Sequence, residues 1–309
     1  MKKEYLFVTL TGIFSGFIVF LGRVLSNYGL SLFELATLPY VLSLIFLLPF
    51  LFLKKKYRIQ KQHLPILVLY GILSGFLVLS QFGAVMLGAP IAIIVLLLYT
   101  QPLWTILLSR IFMKEKINKF TLIACILVLI GIVTLVNPSN KEIFKIDLGF
   151  LVALLGGVFL SIWIIMGRIS STKGSHPIAT KYSEILFMII FLAIAYPFLL
   201  LFVKSPEIVS FSLNWPIVVW GILLIFNLLT QTLGHVLFYM GLKKVPASNA
   251  GIILLLEPVG ATFLAALFLK EAITINVFIG GILILIANYL VIKKGDYGEE
   301  KIIELEKGR

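Results

Sequence analysis

Phe82, Pro90, Gln101-Pro102 and Lys114-Glu115 recur 156 residues later as Phe238, Pro246, Glu257-Pro258 and Lys270-Glu271, with no gap. Between Phe82 and Val136, 14 of 55 positions equal their partners, among them Leu98, Phe112 and Ile117. Shared Leu and Ile carry little weight in apolar sequence. A shared Lys-Glu, two prolines in register and a Gln-Pro matched to a Glu-Pro carry more. An internal repeat within a membrane protein is the pattern of a carrier built from two halves that meet at its site.

Working outward, the whole chain is apolar. Of 309 residues, 60% are hydrophobic and 13% charged, and the mean hydropathy is +1.09. A soluble domain of this size is not so apolar, so the chain reads as an all-α polytopic membrane protein. Long unbroken apolar runs exclude a β-barrel, whose strands alternate. The net charge of +12 does not point to nucleic acid, because no basic soluble domain exists to hold it. The only cysteine, Cys125, lies in an apolar run, and His63, His176 and His235 have no metal-ligand spacing. No metal and no cofactor are expected. Met1-Lys2-Lys3 opens an apolar run of about 20 residues with no small-residue cleavage site, which reads as a retained first span.

Apolar runs able to cross ~30 Å of hydrocarbon fall at 5–25, 33–53, 65–87, 90–112, 119–136, 148–166, 180–203, 215–238, 247–269 and 275–292. Ten spans put both termini on one side. That side then holds 21 Lys and Arg, with Arg168–Lys181 counted as a loop, and the other side holds 5. The positive-inside rule places both termini in the cytoplasm. Five spans per repeat is odd, so the halves, 1–140 and 141–292, are inverted five-helix repeats; 293–309 is a charged cytoplasmic tail. The loop after span four, Lys114-Glu115-Lys116-Ile117-Asn118-Lys119, faces in. Its partner Lys270-Glu271-Ala272-Ile273-Thr274-Ile275 faces out and lacks the extra lysines. A looser match pairs Gly22-Arg23, Ser26 and Gly29 with Gly167-Arg168, Ser171 and Gly174 at a shift of 145.

The candidate site residues are the polar and aromatic side chains within spans. Pro102 and Pro258 interrupt corresponding helices, because proline lacks an N–H and clashes with the carbonyl four residues back, here Leu98 and Leu254. Paired interruptions point to a carrier's site; ordinary kinks are the plainer reading. Glu257 lies ten residues into its span, too deep to reach either surface. It must be protonated, paired or wet, which makes it a proton-coupling or amine-binding group, or else an inter-helix anchor. Its counterpart Gln101 is neutral. Asn227, Gln231 and His235 recur every four residues, one helix face, and either line a cavity or bond between helices. Gln81 is the nearest equivalent in the first half. Tyr99 and Trp163 sit deep enough to form a cavity wall. Arg23, Arg110 and Arg168 read as span-end charges. No Lys or Arg is expected at mid-span, which argues against phosphorylated substrates. Small residues, Gly12 and Gly16, Gly71 and Gly75, Gly156-Gly157 and Gly280-Gly281, read as helix-packing positions. No phosphate-binding loop for ATP is present, and no catalytic cluster suggests an enzyme.

Phe238-Tyr239, Leu242-Lys243-Lys244-Val245-Pro246-Ala247-Ser248, Leu255-Leu256-Glu257-Pro258 and Leu269-Lys270-Glu271 together resemble the C-terminal half of EamA-type members of the drug/metabolite transporter superfamily. Tyr99-Thr100-Gln101-Pro102 and Lys114-Glu115 resemble the first half. The resemblance implies ten helices in two inverted repeats around a central cavity, and secondary transport of a small metabolite such as an amino acid, with export the expected direction. Helices one, three, four, six, eight and nine would line that cavity, bringing in Gln81, Tyr99, Trp163, Gln231 and Glu257. Gln101 departs from the usual Glu-Pro and argues against a symmetric two-carboxylate mechanism. Expected partners are a small-molecule substrate and the bilayer, with the chain a monomer or homodimer in the cytoplasmic (cell inner) membrane. A flippase for a lipid-linked molecule, a channel, and a membrane scaffold or lipid-modifying enzyme are the rival readings.

Overall fold

A computed structural model describes residues 2–87, 91–137, 147–202, 206–270 and 272–294. Pro90, Glu271, the junction between the halves and most of the charged tail lie outside them. Every helix or strand among the described residues is helical. Among the described residues ten helices are long and apolar enough to cross a membrane: Lys3–Asn27, Leu32–Leu53, Lys55–Val85, Ile93–Phe112, Lys119–Val136, Leu148–Thr172, Pro177–Leu201, Ile217–Gly241, Ala247–Leu269 and Ile275–Lys294. Spans one to ten below follow this order. Span six runs beyond the apolar run expected from sequence and takes in Arg168.

Local chemistry sets several starts. Ser31 and Glu34 form a reciprocal capping box before span two; Asn118 caps span five by accepting from Thr121 N, and Asp147 caps span six by accepting from Phe150 N. Glu34 is fully buried and also receives Ser212 N at 2.7 Å, so it ties the start of span two to the loop before span eight. Spans one and six end alike. Gly29 and Gly174 have φ of 94° and 88°, and the next residues bond back five positions, Leu30 N to Leu25 O and Ser175 N to Ser170 O. This is a Schellman closure, for which a residue without Cβ is suited. The shift of 145 between these glycines matches the loose sequence repeat.

Loop contacts fix which ends share a face. Glu4 pairs with Lys244, Glu115 reaches Ala247, Asn118 reaches Lys294, and Tyr57 meets His176. The N-terminus, the even-numbered loops and the end of span ten therefore lie together. Span one packs on span nine as span six packs on span four. Span three packs on spans six and seven as span eight packs on spans one and two, and spans five and ten pack on each other. Exchanging the halves maps each of these contacts onto another. Ile126, Ile194, Leu267 and Phe268 are among many large apolar side chains left exposed, which suits a hydrocarbon surround and not water. The chain is a multi-pass membrane protein.

Candidate functional site

Spans four and nine are each two helices. Ile91–Leu98 ends at Tyr99–Thr100 before Gln101–Phe112, and Ala247–Leu254 ends at Leu255 before Leu256–Leu269. Pro102 and Pro258 sit in the first turn of the second helix, where a missing N–H costs no helix bond. Each break is backed by a glycine of a neighbouring span. A Cβ on Gly12 would lie 2.8 Å from Ile253 O, and one on Gly157 would lie 2.6 Å from Leu97 O. Gly12 and Gly157 differ by 145 and Leu97 and Ile253 by 156, so the repeat is kept in the packing around the breaks.

A cavity of about 160 Å³ opens between these breaks. Gln81, Tyr99, Gln101, Trp163, His235 and Glu257 line it, together with Ser15, Tyr40, Ser74 and Glu184. Asn227 and Gln231 do not line it. Span eight has a π-helical stretch over Asn227–Gly234, so a spacing of four no longer gives one face; the Thr232 hydroxyl donates to Asn227 Oδ1, five residues away, at 2.9 Å. Both residues are buried. Asn227 Nδ2, Gln231 Oε1 and His235 Nδ1 have no partner among the described residues, a cost of about 1–3 kcal/mol each.

The two cavity carboxylates differ. Glu184 is saturated: Lys181 Nζ at 2.7 Å, Trp163 Nε1 at 3.2 Å and the Tyr239 hydroxyl at 3.4 Å all donate to it. Tyr239 in turn shares a hydrogen bond of 2.9 Å with Tyr70, and Lys181 lies over the Tyr40 ring, 5.2 Å from its centroid. Among the described residues Glu257 receives only the Tyr99 hydroxyl, at 3.3 Å. Gln101, its counterpart, also borders the cavity, but its amide group is engaged on its own helix. It is 1% exposed and its amide donates to Thr105 Oγ1, one turn along its own helix, at 2.6 Å.

Lys181 corrects the loop count. Its side chain is 0% exposed inside span seven, so it does not belong with the surface charges of Arg168–Lys181. Arg168 is not a plain span-end charge either; its guanidinium donates to Leu242 O. The Lys181–Glu184 pair was not found from sequence. Its signal is a Lys and a Glu at i, i+3 on the first turns of an apolar span, which also describes an ordinary loop edge. Among the described residues no His, Cys, Asp and Glu cluster could hold a metal ion.

A ten-span bundle whose two broken helices meet at a central cavity with a few polar groups is the architecture of a membrane carrier. The EamA-like transporter family matches residues 2–137 and 147–293, and the chain belongs to that family. It is therefore a membrane transporter with a small-molecule substrate. It is 29% identical over 301 residues to an uncharacterized transporter of Clostridium kluyveri, covering 94% of this chain and 93% of that one. An uncharacterized transporter of Archaeoglobus fulgidus is 26% identical over 294 residues, covering 94% and 99%. A solved protein crystal structure shares the fold with a TM-score of 0.70 at 17% identity, over 92% of this chain and 96% of the other.

Proposed function

We propose that the protein is a secondary transporter that moves a small amphipathic metabolite, an amino acid in the first instance, out across the cytoplasmic membrane. The halves, 1–140 and 141–292, act as inverted repeats that rock around the cavity, with both termini and the tail 293–309 in the cytoplasm. The observation that carries this reading is the meeting of two symmetry-related helix breaks at one cavity that holds one unsaturated carboxylate, Glu257. At about 160 Å³ the cavity is smaller than the ~300–1,000 Å³ of drug-sized sites, which favours a solute of few heavy atoms. Glu257 offers an acceptor to an ammonium group or a proton. Tyr40, Tyr99 and Trp163 supply aromatic walls, and Ser15, Ser74 and Gln81 supply hydrogen bonds for the solute's other end. Export rests on the family resemblance.

Purified protein in proteoliposomes tests the reading. Saturable uptake that is stimulated by solute on the far side is expected of a carrier. Non-saturating flux without counterflow overturns alternating access in favour of a channel, and movement of lipid-linked substrate alone favours a flippase. Glu257→Gln keeps the Tyr99 contact but cannot ionise. Its transport should be about tenfold slower or more and no longer vary with pH; pH dependence equal to the parent's would remove Glu257 from coupling.

A further inference from the structure

The Lys-Glu of the repeat has a structural partner that the cavity does not use. Span four ends at Phe112, and Lys114 then takes left-handed backbone with φ of 55°. That reversal carries Glu115 across to the other half of the molecule, to the start of span nine. There its carboxylate accepts Ala247 N at 2.7 Å, Ser248 N at 3.2 Å and Ser248 Oγ at 2.9 Å. Pro246 precedes this helix, so the first N–H groups of span nine have no side-chain cap of their own. Glu115 supplies it from the first half, with a negative charge at the positive end of the helix dipole. One residue further, Asn249 donates to the Tyr5 hydroxyl at 2.9 Å and accepts from Thr121 Oγ1 at 2.9 Å. The N-terminal segment of span nine is thus held by spans one and five and the loop between spans four and five, all of the first half.

Span nine is also the broken helix. Its first segment, Ala247–Leu254, ends at the cavity beside Glu257. On its way there Gly251 packs directly on Gln101 and Thr105 of span four, and Thr105 is fully buried. A helix segment capped at one end by a charge from the other half, and separated from the rest of its span at Leu255, is the kind of element that switching transitions move.

We propose that Glu115 is the latch that holds the cytoplasmic side of the carrier closed, and that releasing it from the start of span nine is the step that opens the cavity inward. The proposal rests on the alternating-access reading above and on the cytoplasmic placement of the N-terminal face. Glu115 is a positioning residue: it touches no solute and acts by selecting which side the cavity faces.

The test uses the full-length protein with Cys125→Ala and one reporter, Thr105→Cys, in vesicles of known orientation. A membrane-impermeant maleimide is applied from the cytoplasmic side and the labelling rate is measured. Glu115→Gln is expected to raise that rate roughly tenfold, the factor lost with a charge-assisted hydrogen bond. Ser248→Ala, which removes one of three bonds, is expected to raise it less. In the same variants half-saturating solute concentration on the cytoplasmic side falls, a split that a purely structural defect would not give. Unchanged labelling in both variants overturns the latch. Glu115→Gln that folds, as judged by its thermal transition, yet labels more slowly also overturns it. A reporter that labels equally from both faces in the parent overturns alternating access itself, so the two failures are distinct.

Discussion

Lys114 and Lys270 both close their spans with φ of 55°, a region that costs an L residue about 1–2 kcal/mol. The shared Lys of the repeat is therefore a backbone device as well as a charge. At Lys114 it turns the chain so that Glu115 leaves its own span and caps span nine. Lys114→Gly removes the Cβ clash and adds about 0.5–1 kcal/mol of unfolded-state entropy cost. The strain relieved is the larger quantity, so thermal unfolding in detergent should show a gain of about 0.5–1 kcal/mol. Lys114→Val should move the other way, because a β-branched residue fits left-handed backbone worse. The motif was legible as a repeat, yet its job was not. A one-dimensional match cannot show that Glu115 lies against Ala247, 132 positions away in the chain.

The helices were legible nearly to their ends because hydrocarbon demands long apolar runs and leaves loops to the charges. The helix breaks were legible from the prolines paired across the repeat and not from proline alone, since Pro39 and Pro197 lie inside unbroken helices. Span eight was not. Its π-helical stretch comes from packing and not from any residue that forces it, so a spacing of four placed Asn227, Gln231 and His235 on one face and the structure brings only His235 to the cavity. Small residues carried a clearer signal than sequence alone could grade. Gly12 and Gly157 each face a carbonyl at a break, at 2.8 and 2.6 Å from an added Cβ, whereas nothing lies within 4 Å of one on Gly22. Alanine at Gly12 or Gly157 should therefore cost about 1–3 kcal/mol by overpacking and slow transport by shifting the break. Alanine at Gly22 should stabilise span one by up to about 1 kcal/mol, because there only helix propensity changes. Melting curves of the three variants check the opposite signs.

Taken whole, the halves agree in backbone and differ in charge. Both carry the break, the backing glycine, the left-handed lysine and the Schellman closure, the internal symmetry on which the proposed rocking of the halves rests. The polar groups at the breaks do not follow. Glu257 faces the cavity with one hydroxyl partner, while Gln101 folds back on Thr105 and packs between spans four and nine against Gly251. Glu184, the second cavity carboxylate, is spoken for by Lys181, Trp163 and Tyr239. Sequence exposed the Gln-for-Glu difference but not its consequence, because direction of a side chain is set by neighbours from other spans. The asymmetry gives the last prediction. If the halves were interchangeable, Gln101→Glu would rescue Glu257→Gln by moving the carboxylate to the other break. The structure expects no rescue. A carboxylate at 101 would lie where the amide is 1% exposed, packed against Gly251, and would lose the donor bond to Thr105. The double variant should transport no faster than Glu257→Gln alone, and should be less stable by about 1–3 kcal/mol, the cost of a buried group left without its partner, seen as a lower unfolding temperature. Recovery of pH-dependent transport in proteoliposomes would mean that a carboxylate at position 101, on the cavity wall, can take over from Glu257, and that coupling belongs to the pair of breaks and not to one of them.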